Sequence, residues 1–130
     1  DTNFANLGGA IYANNALEMD WNDVSFEANE ALSGGAGYLR VTENVDIDQG
    51  MFTNNKATGS SSNSFGGALY VVKSSGTTTM NVSDTVFEGN TADKGAGGLY
   101  ISSLANFALT TSAFTNNSAR RSGAVEFHQK

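Results

Sequence analysis

The feature that most constrains this chain is a frame that recurs four times. Phe26-Glu27-Ala28-Asn29, Phe52-Thr53-Asn54-Asn55, Phe87-Glu88-Gly89-Asn90 and Phe114-Thr115-Asn116-Asn117 all read F-x-x-N. An Ala follows each Asn two residues later, at Ala31, Ala57, Ala92 and Ala119, and the chain opens in the same frame with Asn3 and Ala5. Next comes a cluster of small residues: Gly8-Gly9-Ala10, Gly34-Gly35-Ala36, Gly66-Gly67-Ala68, Gly95-Ala96-Gly97 and Ser122-Gly123-Ala124. After each cluster stands an aromatic or an acid between apolar neighbours, at Tyr12, Tyr38, Tyr70, Tyr100 and Glu126. Successive Phe residues are 26, 35 and 27 apart, and the long interval carries six extra residues within Thr58–Phe65 and three more after Tyr70. Insertions at fixed points of a repeat map to loops, so Gly59–Ser64 and Lys73–Thr79 are expected to decorate one unit.

Within each unit the local period is two. Met19-x-Trp21, Val45-x-Ile47, Met80-x-Val82 and Phe107-x-Leu109 alternate apolar residues upstream of each Phe, the pattern of a strand with one buried face. No stretch of ten residues has a 3.6-residue period. A unit of about 26 residues made of short strands cannot bury its own apolar face and must stack on copies of itself. The expected fold is all-β, a right-handed parallel β-helix of about five coils of roughly 26 residues, with like residues one interstrand distance apart. Residues 1–130 then form one domain. Phe26, Phe52, Phe87 and Phe114 become an inward aromatic column. Asn29, Asn55, Asn90 and Asn117, with Asn3, become an amide ladder at a turn. The absence of Pro fits strands that donate hydrogen bonds on both sides. Neither end shows a polar capping coil, so the chain reads as a segment of a longer rod, its partners being further coils or copies end to end.

Paired F-x-x-N and G-G-A-[ILV] motifs resemble the repeat of chlamydial polymorphic outer-membrane proteins and of similar autotransporter-like surface adhesins. The resemblance runs over essentially the whole chain. It implies a secreted, surface-exposed β-helix at the cell surface, often a long stalk, with adhesion as its activity. Chlamydial members use cysteines, whereas this chain has none.

Strand alternation turns Tyr12, Tyr38, Tyr70 and Tyr100 outward as a ladder that could dock a glycan, a host or cell-surface protein, or a neighbouring rod. The alternative is a column that serves cross-strand packing alone. Asp20, Asp46 and Asp48 fall on outward positions of adjacent strands. A calcium bridge would suit such oxygens, but no calcium-loop motif is present, and solvated carboxylates are the expected reading. Glu27, Glu30, Asp84, Glu88 and Asp93 lie at coil edges without forming one acid pair. Lys94, Arg120 and Arg121 are expected in solvated turns, and His128 near the end is expected to be exposed. No catalytic residue, metal site or cofactor is assigned, and the chain is not expected to be an enzyme.

The net charge of −6 argues against nucleic acid, which requires Lys and Arg. No apolar run approaches the roughly 18 residues of a membrane helix, so direct membrane insertion is not expected. Asn81-Val82-Ser83 and Asn116-Asn117-Ser118 match the N-glycosylation sequon. Thr77-Thr78-Thr79 and Thr110-Thr111 suggest ranks of an ice-binding plane, but the matching positions of the first two units are acids or Asn. The expected function is a non-enzymatic structural or adhesive module of an extracellular surface protein. The main alternative is a carbohydrate-binding or carbohydrate-active β-helix, and the third is an ice-binding solenoid.

Overall fold

The computed structural model describes residues 4–59 and 64–129. Asn3, and most of the insertion expected at Gly59–Ser64, lie outside them. The described residues contain no helix. The first pass of the chain contributes β1 (Phe4–Leu7), β2 (Ile11–Asn22) and β3 (Ser25–Glu27). The second contributes β4 (Glu30–Ser33), β5 (Gly37–Asp48) and β6 (Met51–Thr53). The third is β7 (Lys56–Ala57), β8 (Leu69–Lys73), β9 (Thr79–Ser83) and β10 (Val86–Glu88). The fourth is β11 (Thr91–Ala92), β12 (Leu99–Ser102), β13 (Asn106–Thr110) and β14 (Ala113–Thr115), and β15 (Val125–His128) follows.

Each pass visits the same three sheets in the same order. One sheet runs β1-β4-β7-β11 and a second β3-β6-β10-β14. The largest has β2 on β5, which pairs in turn with both β8 and β9. Every strand pair among the described residues is parallel, and the register places like residues of the frame side by side: Phe26 on Phe52, Phe52 on Phe87, Phe87 on Phe114. The twelve-residue β2 and β5 are unbroken where later passes have a loop between two strands. β2 follows β5 only through register shifts on either side of Ala16.

The core is the shared interior of the sheets. Leu39, Val41, Val45, Ile47, Leu69, Val71, Met80, Val82, Leu99 and Ile101 are buried from the largest sheet, and Phe52 and Phe87 close it from the second. Full burial of each such side chain contributes about 1.5–3 kcal/mol. The Phe rings stack almost parallel, at 5.3, 4.8 and 4.6 Å between centroids and 17°, 6° and 3° between planes.

The second ladder is polar. Asn29 donates its backbone N–H and an Nδ2 hydrogen to Asn55 Oδ1 at 3.1 and 3.0 Å. Asn55 does the same to Asn90 Oδ1 at 2.9 and 3.0 Å, and Asn90 to Asn117 Oδ1 at 3.0 and 2.9 Å. The other amide hydrogen turns back: Asn55, Asn90 and Asn117 donate to the carbonyls of Phe26, Phe52 and Phe87. Asn29, Asn55 and Asn90 are buried and Asn117 half-buried, and a buried amide is tolerated only when its hydrogen-bonding capacity is met in this way.

The corners explain the small residues. Between the largest and second sheets one residue per pass is left-handed: Asp23, Gln49, Asp84 and Thr111, at φ 52°, 55°, 46° and 47°. Between the second and first sheets it is the second x of F-x-x-N: Ala28, Asn54, Gly89 and Asn116, at φ 55°, 56°, 63° and 55°. In Gly-Gly-Ala the two glycines have different duties. The first is left-handed, at φ 66° in Gly66, where a Cβ is disfavoured. The second is a close approach, since a Cβ on Gly67 would stand 2.1 Å from the Gly97 carbonyl oxygen and 2.5 Å from that of Thr91. In the last two units Ala96 and Ser122 follow the first glycine's line, joined by an isolated parallel bridge, and neither is left-handed.

Candidate functional site

The outer face of the largest sheet carries the tyrosines. Strand register aligns Tyr12 with Tyr38, Tyr38 with Tyr70, Tyr70 with Tyr100 and Tyr100 with Glu126. Ring centroids along the column lie 5.7, 4.8 and 5.0 Å apart, the first pair stacked and the next two edge to face. Exposure falls along it. Tyr12 is 53% exposed, Tyr38 and Tyr70 are half-buried, and Tyr100 is 5% exposed.

Tyr100 therefore departs from the expected open ladder, and Phe65 is the reason. Its ring covers Tyr100 at 4.6 Å and meets Tyr70 edge-on at 5.8 Å. A Cβ on Gly95 would fall 2.6 Å from that ring, so the glycine leaves room for the cover. Lys94 Nζ lies over the same ring, 5.3 Å from its centroid, a cation–π contact rather than the solvated turn position expected of it. Phe65 directly follows the insertion and stands at the register of Leu7 and Ser33, a position whose residue type does not repeat, which is why the frame alone did not reveal it.

A second column flanks the tyrosines. Leu7 pairs with Ser33, and the Phe65 N–H donates to Ser33 Oγ at 3.4 Å. Between the large side chains Leu7 and Phe65 the short Ser33 leaves a notch. The result is a cleft of about 250 Å³ lined by Leu7, Ser33, Tyr38, Phe65 and Tyr70. A larger and more open hollow of about 520 Å³, lined by Ala92, Asp93, Ser118, Ala119 and Arg120, lies along the last strand of the first sheet.

Burial pushes the phenol of Tyr70 up to about 12, with the neighbouring Tyr38 and Tyr100 adding to the effect. Burial also raises Tyr38, against Arg40 which lowers it, and Tyr100, with Glu126 raising and Arg121 lowering. The three hydroxyls thus stay protonated, as hydrogen-bond donors, through neutral and mildly alkaline pH.

Beside the tyrosines, register aligns Arg40, Val72, Ser102 and His128. His128 is half-buried within β15, not an exposed tail residue. At the far end of the Tyr column Arg121 pairs with Glu126 at 2.7 Å. The other Glu126 oxygen, Oε2, is buried without a hydrogen-bond partner among the described residues. The outward acids fall in the register expected, Asp20 on Asp46 and Asp46 on Asn81. Asn81 donates to Asp46 and Ser83 to Asp48, each at 2.7 Å. Among the described residues no three acids or histidines converge as metal ligands would. Thr78 is buried and donates to the carbonyls of Val41 and Thr42, so it stands in no exposed threonine rank.

Parallel strands stacked pass on pass, with identical side chains laddered through them, define a repeat-built β protein of the kind solenoids represent. The family model of the Chlamydia polymorphic membrane protein repeat matches residues 51–72 and 84–102, and those segments are similar to that repeat. Those segments hold the central Phe52–Asn55 and Phe87–Asn90 frames and the strands of Tyr70 and Tyr100. No curated protein and no solved structure matches the chain.

Proposed function

We propose that this chain is a stretch of right-handed parallel β-helix, about five coils long, in the extracellular part of a surface or outer-membrane protein. It acts there as a non-enzymatic stalk with an adhesive face. The observation that carries this reading is the unbroken register of the Phe, Asn and backbone ladders from pass to pass. Such a stack resists bending and holds one outer face in line, as a stalk must. The similarity of its centre to the polymorphic membrane protein repeat supports a surface location. Asp46 and Asp48 accept hydrogen bonds from the next strand, which suits a structural role for both.

The test is adhesion. Beads coated with the chain should be retained on cultured cells, and beads coated with a Phe52→Ala/Phe87→Ala chain that has lost its fold should not. Equal retention of both would remove the stalk-adhesion reading. A carbohydrate-binding role is the second reading, favoured by one observation, the aromatic cleft between Leu7 and Phe65.

A further inference from the structure

We infer that the notch at Ser33 is a binding site for a single neutral pyranose ring, such as the terminal sugar of a glycan. This deepens the adhesive reading above and rests on it for its biological sense, though not for its chemistry.

Three observations lead there. The first is shape. Leu7 and Phe65 stand as side walls with the two tyrosines between them, and the space is about 250 Å³. That falls below the roughly 300 Å³ at which drug-sized pockets begin, so it suits one ring rather than a chain of them. The second is the alternation of chemistry in the lining. Aromatic faces from Tyr38, Tyr70 and Phe65 can meet the C–H face of a sugar, while the phenolic hydroxyls can reach its hydroxyl rim. The third is charge. Among the described residues no ionised side chain lines the cleft; Arg40 acts on the Tyr38 phenol without lining it, and Lys94 is engaged over Phe65. An acidic sugar would leave its carboxylate unpaired against aromatic walls, which is costly, so the neutral ring is favoured.

The walls are also set in advance. Phe65 is held by Tyr70, Tyr100 and Lys94, and Tyr38 by Tyr12 and Tyr70. Little side-chain freedom is then lost on binding. Ser33 is the determinant, since Leu7 at the same register of the first pass and Phe65 on the other side are both large. Replacing Ser33 by Leu would repeat the first-pass residue and fill the notch.

Methyl glucopyranoside and methyl galactopyranoside are titrated into the folded chain while the Tyr38, Tyr70 and Phe65 ring protons are followed by NMR, with methyl glucuronoside as the charged comparison. At least one neutral glycoside should shift these rings and bind about tenfold more tightly than the glucuronoside. Ser33→Leu should abolish the shifts. Phe65→Ala should weaken binding about tenfold, and its unchanged thermal transition would exclude unfolding as the cause. No shift with any sugar, equal binding of the charged one, or binding that survives Ser33→Leu overturns the site. If the beads adhere and Ser33→Leu beads adhere equally, the adhesive reading stands and the cleft is not its sugar site. If the rings shift and no beads adhere, the site stands and the adhesive reading falls.

Discussion

Asn55 and Asn90, thirty-five residues apart, are joined twice: the backbone N–H and the side-chain Nδ2 of Asn55 both donate to the one Oδ1 of Asn90, at 2.9 and 3.0 Å. Asn90 in turn donates to Phe52 O and to Asn117 Oδ1. One side chain thus satisfies a buried N–H, a buried carbonyl and both neighbouring amides.

Asn90→Ala should therefore cost more than a typical hydrogen bond. It leaves buried donors and a carbonyl unmet, at about 1–3 kcal/mol each, and we expect a loss of about 4 kcal/mol in urea unfolding. Asn117→Ala, at a half-buried position, should cost less than half of that. Equal losses would mean that the ladder is not what makes the interior positions sensitive.

Phe87 lies between two parallel rings and is fully buried, whereas Phe114 has a ring on one side and is half-buried. Phe87→Ala should lose about 3–5 kcal/mol, and Phe114→Ala clearly less. The comparison is read from denaturant midpoints of the two variants under one condition.

The glycine positions separate steric from conformational demand. Gly67→Ala would drive a Cβ into two backbone carbonyls of the next pass. It should lower stability by about 3 kcal/mol or prevent folding. At Gly76, left-handed at φ 68°, the nearest atom to a new Cβ is the Thr42 oxygen at 3.5 Å. Gly76→Ala should cost only about 1 kcal/mol. Circular dichroism melts of both variants check the order.

Thr111 gives a prediction of opposite sign. It is a β-branched residue held at φ 47°, a conformation that such side chains resist. Thr111→Gly should raise stability by about 0.5–1 kcal/mol, measured as a higher thermal midpoint. A lower midpoint would mean that the Thr side chain makes contacts worth more than its backbone strain.

The buried tyrosines give the stability an alkaline limit. Tyr70 holds its proton more tightly in the folded chain, near pH 12, than in the unfolded chain, near pH 10. A raised pKa of this kind contributes stability that is fully present below pH 10 and lost as pH climbs toward 12. Tyr38 and Tyr100 are raised as well and act in the same direction. Denaturant midpoints should fall above pH 10, and Tyr70→Phe should show a smaller fall. Tyrosinate absorbance in the folded chain should rise later than in denaturant.

The Phe and Asn ladders were legible because each is a column of like residues at like spacing. Repetition in sequence becomes adjacency in space once strands pair in parallel. The outward register of Asp20, Asp46 and Asn81 followed from period two alone. What repetition could not supply was anything made by a residue without a copy. Phe65 stands where the earlier passes have Leu7 and Ser33, so its cover over Tyr100 and the notch it walls at Ser33 had no repeated signal. Thr78, grouped with its neighbours as an outer rank, turns inward because its hydroxyl satisfies two carbonyls of β5, those of Val41 and Thr42. His128 joins a strand because Ser102 offers a partner register, a long-range fact that its place near the end concealed.

The amide column also has an arrow. Asn55 and Asn90 each pass hydrogens forward to the Oδ1 of the following pass and back to a Phe carbonyl of the preceding one; Asn29 donates forward and Asn117 back, so every rung points the same way. A two-fold junction through this column would set like against like, donors facing donors or acceptors facing acceptors. Any contact that extends it must therefore be heterologous, tail meeting head, and contacts of that sort grow lines or rings rather than closed pairs.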